Sequence, residues 1–158
     1  MKYKISDTQE INFGNIENTF FLIGLLNEFM NRFQTVGDRF FEEISWKQCF
    51  LLICIKYFED PPSLKEVSEM MGCSHQNVKQ MLIKLEKAGY VKLIPDELDK
   101  RKQRILLTQR TMEFNEKNDK PSKDFMEWMF ANVDPKDLEI TVKTIQQLDE
   151  QLKNMRWD

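Results

Sequence analysis

Residues 63–108 read SLKEVSEMMGCSHQNVKQMLIKLEKAGYVKLIPDELDKRKQRILLT, and this stretch decides the fold. Ser63 and Glu66 stand at capping-box spacing, which starts a helix at Leu64. Leu64, Val67, Met70 and Met71 give that helix an apolar face at helical period. Gly72 can take the left-handed conformation that closes it. Ser74 is an N-cap residue for a second helix, whose inward stripe is Val78, Met81, Leu82 and Leu85. Gly89 ends that helix at the C′ position. Two strands follow, near Val91–Ile94 and Arg104–Leu107, separated by a long charged loop from Pro95 to Gln103. Two helices joined by the short link Gly72-Cys73-Ser74, then a charged β-hairpin, make a winged helix-turn-helix, a module that mostly reads duplex DNA.

The second helix presents Ser74, His75, Gln76, Asn77, Lys79, Gln80 and Lys84 on its polar side. Gln and Asn side chains can bond the adenine edge, and Lys and Ser suit phosphates. Residues near the start of such a helix usually reach the bases. A polar face alone fits any solvated helix. The caps, the Gly turn and the wing together favour a duplex reader.

The segment Leu85-Glu86-Lys87-Ala88-Gly89-Tyr90-Val91, the wing motif Asp99-Lys100-Arg101 and the closing Leu107-Thr108 resemble the multiple-antibiotic-resistance regulator (MarR) family of bacterial transcription factors. The resemblance is close over residues 63–108 and architectural elsewhere. It implies that Arg101 approaches the minor groove or its phosphates from the wing tip, oriented by Asp99 and flanked by Lys100 and Lys102. The chemistry agrees, because a planar guanidinium can be fixed in angle by a nearby carboxylate. Two positions depart from the family pattern. Lys92 and Leu93 follow Val91 where an Arg often stands, and Thr111 replaces a usual Gly after Thr108.

The 158 residues carry a net charge of −3, which looks wrong for a DNA binder until its distribution is read. Residues 63–110 hold 10 Lys and Arg against 6 Asp and Glu, a net of +4; the rest holds 13 against 20, a net of −7. A basic module on an acidic body is the footprint of a reader whose back is turned from phosphate. The N-terminus MKYKISDTQEINFG lacks a signal-peptide pattern, and no apolar run approaches the roughly 20 residues of a membrane span, so a cytoplasmic protein is expected. Cys49, Cys54 and Cys73 lack metal spacing; the first two lie in an apolar helix, where free cysteine behaves as a small hydrophobe. In the resembled family the redox-sensing cysteine generally lies in the first helix, which has none here.

The flanks read as helices. Asn15 to about Thr35 repeats Ile16, Phe20, Ile23, Asn27, Met30 and Phe33, with a second stripe of Phe21, Leu22, Leu25 and Phe29. Apolar residues on two faces imply two burial partners, the chain's own core and another chain, or else a central helix in one larger core. Ser45 and Gln48 open a helix over Trp46–Phe58, stopped by Asp60-Pro61-Pro62. Thr108 to about Asn118 is helical, Pro121 is expected to kink or break it, and Phe125–Phe130 resumes the apolar pattern. Asp134-Pro135-Lys136-Asp137 begins a last helix with the seam Leu138, Val142, Ile145, Leu148, Leu152 and Met155.

The expected architecture is mainly α with a small β-wing. It is a single domain over 1–158, with a winged helix-turn-helix at 45–110 flanked by N- and C-terminal dimerisation helices at 12–36 and 111–158. The expected function is a sequence-specific transcriptional regulator, acting as a repressor. It binds a pseudo-palindromic operator in double-stranded DNA as a homodimer. The resemblance adds a small aromatic effector that misaligns the two reading heads. No enzyme is expected: His75 is the one histidine, and no nucleophile–His–Asp arrangement, phosphate loop or metal cluster is visible, so neither cofactor nor metal is implied. The other class to weigh is a winged-helix adaptor that binds protein and not DNA. Such an adaptor has no reason to gather Lys79, Lys84, Lys100, Arg101 and Lys102.

Overall fold

A computed structural model describes residues 2–155 of the chain. The order of elements is β1 (Lys2–Ser6), β2 (Gln9–Asn12), α1 (Asn18–Phe40), α2 (Trp46–Lys56), α3 (Leu64–Met71), α4 (His75–Lys87), β3 (Val91–Pro95), β4 (Gln103–Leu107), α5 (Gln109–Phe130) and α6 (Pro135–Lys153). The chain divides into two compact units, Met1–Thr111 and Met112–Asp158. Residues 156–158, the end of the expected C-terminal dimerisation region, lie outside the described residues.

The first unit is built on α2. Leu51, Leu52, Cys54 and Ile55 of this helix are buried with Val67 of α3, Val78, Leu82 and Leu85 of α4, and Tyr90, Val91 and Ile105 of the wing. Both expected capping boxes form. Ser45 Oγ accepts from Gln48 N at 3.3 Å while Gln48 Oε1 accepts from Ser45 N at 2.9 Å. Ser63 Oγ accepts from Glu66 N at 3.3 Å while Glu66 Oε2 accepts from Ser63 N at 2.7 Å. Gly72 closes α3 at φ +61°, a backbone conformation that side chains rarely adopt, and Gly89 follows α4 at φ +80°. Met70 departs from expectation. It is 47 % exposed, because the short α3 needs only Val67 and the half-buried Leu64 and Met71 to cover its core side.

β3 and β4 pair antiparallel in the register Val91↔Leu107, Leu93↔Ile105 and Pro95↔Gln103. Ile105 N also donates to Pro62 O at 2.9 Å, so the segment before α3 holds the outer edge of β4. The unexpected Thr111 closes the far end of the wing. It is wholly buried, and its hydroxyl donates to Tyr90 O. Thr108 Oγ1 reaches Gly89 O at 2.7 Å and Tyr90 O at 3.0 Å. The two threonines thus satisfy the carbonyls that α4 leaves behind, where glycine would offer no hydroxyl.

α1 starts at Asn18 and runs on to Phe40, past the expected end near Thr35. Its last turn is admitted by Gly37, which is buried against Trp46. Trp46 N donates to Asp38 Oδ1 at 2.7 Å, and the Trp46 ring meets Phe33 edge-on at 4.7 Å between centroids. These cross-links outweigh the weak helix propensity of Thr35-Val36-Gly37. The β1–β2 hairpin is also new to the reading. Tyr3 and Phe13 pack edge-on against Phe21 of α1, at 5.9 and 5.7 Å.

In the second unit, α5 passes through Pro121 without ending, so of the expected kink or break the break does not occur. Two i,i+4 ion pairs, Asp119–Lys123 at 2.7 Å and Lys120–Asp124 at 3.9 Å, straddle the proline and support the helix there. Asp134 caps α6 by accepting from Lys136 N at 2.7 Å, with Pro135 in the first turn. None of the described residues of α6 is buried: of its seam, Ile145 alone is half-buried and Leu152 is 69 % exposed.

Candidate nucleic-acid interface

α4 carries its polar side outward. His75, Gln76, Asn77, Lys79, Gln80 and Lys84 are all exposed, as is Ser74. Ser74 Oγ accepts from Asn77 N at 3.3 Å, which caps the helix and leaves the hydroxyl hydrogen available to a phosphate oxygen. The Asn77 amide side chain is not used by the cap, so it stays available for a base edge. Val78, Leu82 and Leu85 anchor the opposite side in the core. The helix therefore cannot rotate to hide its polar row.

The wing tip is a tightly bonded loop. Asp96 N donates to Lys102 O at 3.0 Å, and Lys102 N donates to Asp99 O at 2.8 Å. Asp96 Oδ1 accepts from the amides of Leu98 and Asp99 at 2.9 and 2.8 Å. Asp99 Oδ1 accepts from Arg101 N at 3.2 Å and from Arg101 Nε at 3.3 Å. The expected orienting pair is thus present, and the Arg101 side chain stays 93 % exposed. Asp99 also stands 3.8 Å from Lys102 Nζ, and Lys100 and Lys102 are exposed beside it.

Several positioning residues were not anticipated. Arg104 Nε donates to Asp96 Oδ2, and its Nη1 reaches Glu66 Oε2 at 3.2 Å and Pro61 O at 3.3 Å. One guanidinium therefore ties the wing loop to the capping box of α3. The amide of Asp99 and the Arg104 guanidinium hold the Asp96 carboxyl at about 2, below its ordinary value. Glu66 is lowered as well, first by its hydrogen bonds with Ser63. Glu86 of α4 accepts from Leu93 N at 3.1 Å, which fixes β3 to the recognition helix. Behind it, Tyr90 Oη donates to Glu43 Oε2 at 2.7 Å, and the Arg110 guanidinium lies 4.7 Å over the Tyr90 ring. Glu66 was legible as a cap, but nothing in the spacing announced its second bond to Arg104.

The cysteines stand as the apolar pattern implies. Cys49 and Cys54 are buried and Cys73 is half-buried. Burial pushes the Cys49 thiol up to about 11 and raises Cys54, to which the nearby Cys73 adds. Among the described residues no group of three or more His, Cys, Asp or Glu is placed to hold a metal ion. Among the described residues no helix is long and apolar enough to cross a membrane.

Residues 44–102 match the model of the MarR family. No curated protein matches the sequence. Among solved structures, the chain is similar to a MarR/EmrR family transcriptional regulator from Acinetobacter sp. ADP1, with a TM-score of 0.77 at 16 % identity over 89 % of this chain and 100 % of that one. It is similar to MepR of S. aureus in its DNA complex, with a TM-score of 0.73 at 15 % identity over 86 % of this chain and 99 % of that one. It is equally similar to BpsR of Bordetella bronchiseptica, with a TM-score of 0.73 at 15 % identity over 86 % of this chain and 98 % of that one. At these identities the structures speak for the fold, while the sequence match falls on the winged module itself. The winged module of this chain thus matches the MarR family model, and its fold is similar to that of solved MarR-family transcriptional regulators.

Proposed function

We propose that the chain is a DNA-binding transcriptional regulator that occupies a pseudo-palindromic operator as a homodimer and represses by occupying it. One observation carries the reading: a rigidly capped helix with an outward row of amide and ammonium donors sits in the same module as a wing tip whose Arg101 is aimed by Asp99. Gln76, Asn77 and Gln80 read base edges; His75 stands beside them at the helix start. Ser74, Lys79, Lys84, Lys100 and Lys102 take phosphates, and Arg101 enters the minor groove.

Support for two copies comes from apolar side chains that the chain leaves uncovered. Phe20 is 70 % and Ile23 is 59 % exposed on α1, and Val142 and Leu152 stand out on α6. Two heads related by a two-fold axis read half-sites about one DNA turn, roughly 34 Å, apart. The relative MepR was solved bound to DNA, and BpsR has its DNA binding regulated by 6-hydroxynicotinic acid. By analogy, a small aromatic effector releases this chain from its operator, and it does so only as far as it prefers the misaligned pair of heads. The expected site of action is the cytoplasm.

The test is selection of duplexes from a random library, followed by affinity measured against salt. Neutralising phosphates releases counterions, so affinity should fall steeply as salt rises and the selected sites should be two-fold symmetric. Failure to bind any duplex, or a flat salt response, overturns the proposal.

A further inference from the structure

We propose that Leu98 is a second groove-reading residue of the wing, an apolar contact that sits in the minor groove and favours A·T over G·C pairs there. The inference rests on the duplex-binding reading above and extends it to a residue of the opposite chemistry. Leu98 is 99 % exposed, so nothing in the chain covers it. A lone exposed apolar side chain is ordinary on a protein surface. This one is set apart by its position. Its own amide and the next are both held by Asp96 Oδ1, at 2.9 and 2.8 Å, so the backbone under the side chain is fixed by the fold. It stands three residues before Arg101, in a loop whose other side chains between Asp96 and Gln103 are all charged.

The physical fit follows from the groove. The minor groove of B-DNA is about 6 Å wide, and A·T pairs leave its floor without the exocyclic amino group that G·C pairs carry. Apolar side chains are used at this groove by DNA-bending proteins. Lys100 and Lys102 suit the phosphates along its edges, whereas Leu98 suits its sugar walls beside the Arg101 guanidinium. Removing Leu98 therefore lowers affinity without removing a positive charge, which separates it from Arg101.

The experiment uses the full chain and a duplex selected by it, remade with A·T, G·C or inosine·C pairs under the wing. Inosine·C keeps the major-groove edge of G·C and lacks its minor-groove amino group. The expected result is that the unaltered chain binds the A·T and inosine·C duplexes alike and the G·C duplex about tenfold more weakly, the scale of one partly buried Leu side chain. Leu98→Ala should bind the A·T duplex about tenfold more weakly per engaged wing, with an unchanged salt slope and reduced discrimination, while Leu98→Met retains most of both. A Leu98→Ala chain with unaltered affinity, or with full discrimination retained, overturns the inference while leaving duplex binding intact. If the unaltered chain binds no duplex, the reading of function fails first and the inference with it. Because Leu98 is uncovered, its variants should melt as the parent does, which checks that the fold is undisturbed.

Discussion

The joint between α1 and α2 makes a prediction in which two effects of one substitution oppose each other. A Cβ added at Gly37 would stand 2.8 Å from Trp46 Cβ, 3.1 Å from its Cγ and 3.3 Å from its Cδ2. Ordinary carbon contacts lie near 3.5–4.0 Å, so the nearest atom must retreat by about 1 Å. That atom is the root of the Trp46 side chain, not its flexible end. Trp46 is held by its amide bond to Asp38 Oδ1, and its ring is packed on Phe33, Phe41 and Phe50. Overpacking of this kind costs about 1–3 kcal/mol. Against it, Ala at a helix interior gains about 1 kcal/mol over Gly. The clash wins over most of that range, and Gly37→Ala should lose up to about 2 kcal/mol, or up to several degrees of melting temperature for a chain of this size. Gly24 on the same helix is the control. Nothing lies within 4 Å of a Cβ placed there, so Gly24→Ala should keep the helical gain and stabilise by up to about 1 kcal/mol. Urea unfolding at fixed protein concentration reads both, with midpoints moving in opposite directions and little change in slope. A Gly37→Ala chain with its midpoint raised like that of Gly24→Ala refutes the reasoning.

The remaining predictions concern the reading head. Arg101→Ala should leave the melting temperature within the small worth of an exposed ion pair, under about 1 kcal/mol. It should nonetheless weaken binding across all duplex sequences, with a salt slope lower by about one unit per wing. Titrating one duplex over a range of salt checks it, and unaltered affinity would contradict the placement of the wing. Gln76→Ala and Asn77→Ala should each relax preference at particular base pairs, costing about 1–3 kcal/mol where the contact is bidentate, as read with single-base-pair variants of a selected site. Acid should loosen the wing through Asp96. Its carboxyl titrates lower in the folded chain, at about 2, than in the unfolded chain, where its ordinary value is 3.8. Its contribution is therefore complete above pH 4 and lost as pH falls toward 2. Stability followed down this window should fall less in Asp96→Asn than in the parent, because the variant has already lost the titrating group.

What the sequence by itself determined was the helix caps and tight turns, whose partners lie within one helical turn. Ser45 with Gln48, Ser63 with Glu66, Ser74 with the Asn77 amide, and the left-handed Gly72 and Gly89 all form as their spacing states. With the apolar stripes of α2 and α4 they place the polar row of α4 outward and put Arg101 at the tip of a hairpin. The bond from Asp99 to Arg101 was implied by the family resemblance of the wing motif, and it spans two residues. The β1–β2 hairpin escaped although Lys2-Tyr3-Lys4-Ile5-Ser6 alternates polar and apolar residues, because strands of five and four residues give the pattern little weight. At Pro121 the spacing allowed either a kink or a break, and the helix does not break there.

Only the tertiary structure decided how the head is braced. Arg104 finds Glu66 across 38 positions, Tyr90 finds Glu43 across 47, and Arg110 finds Glu43 across 67. Gly37 has meaning only because Trp46 folds back against it, and Thr111 only because Tyr90 O lies within reach. A cap chooses among atoms already tethered within a few bonds. A brace between distant segments exists only after the core of α2, α3 and α4 has brought its ends together, and many other charged pairs in the sequence have an equal claim to it beforehand.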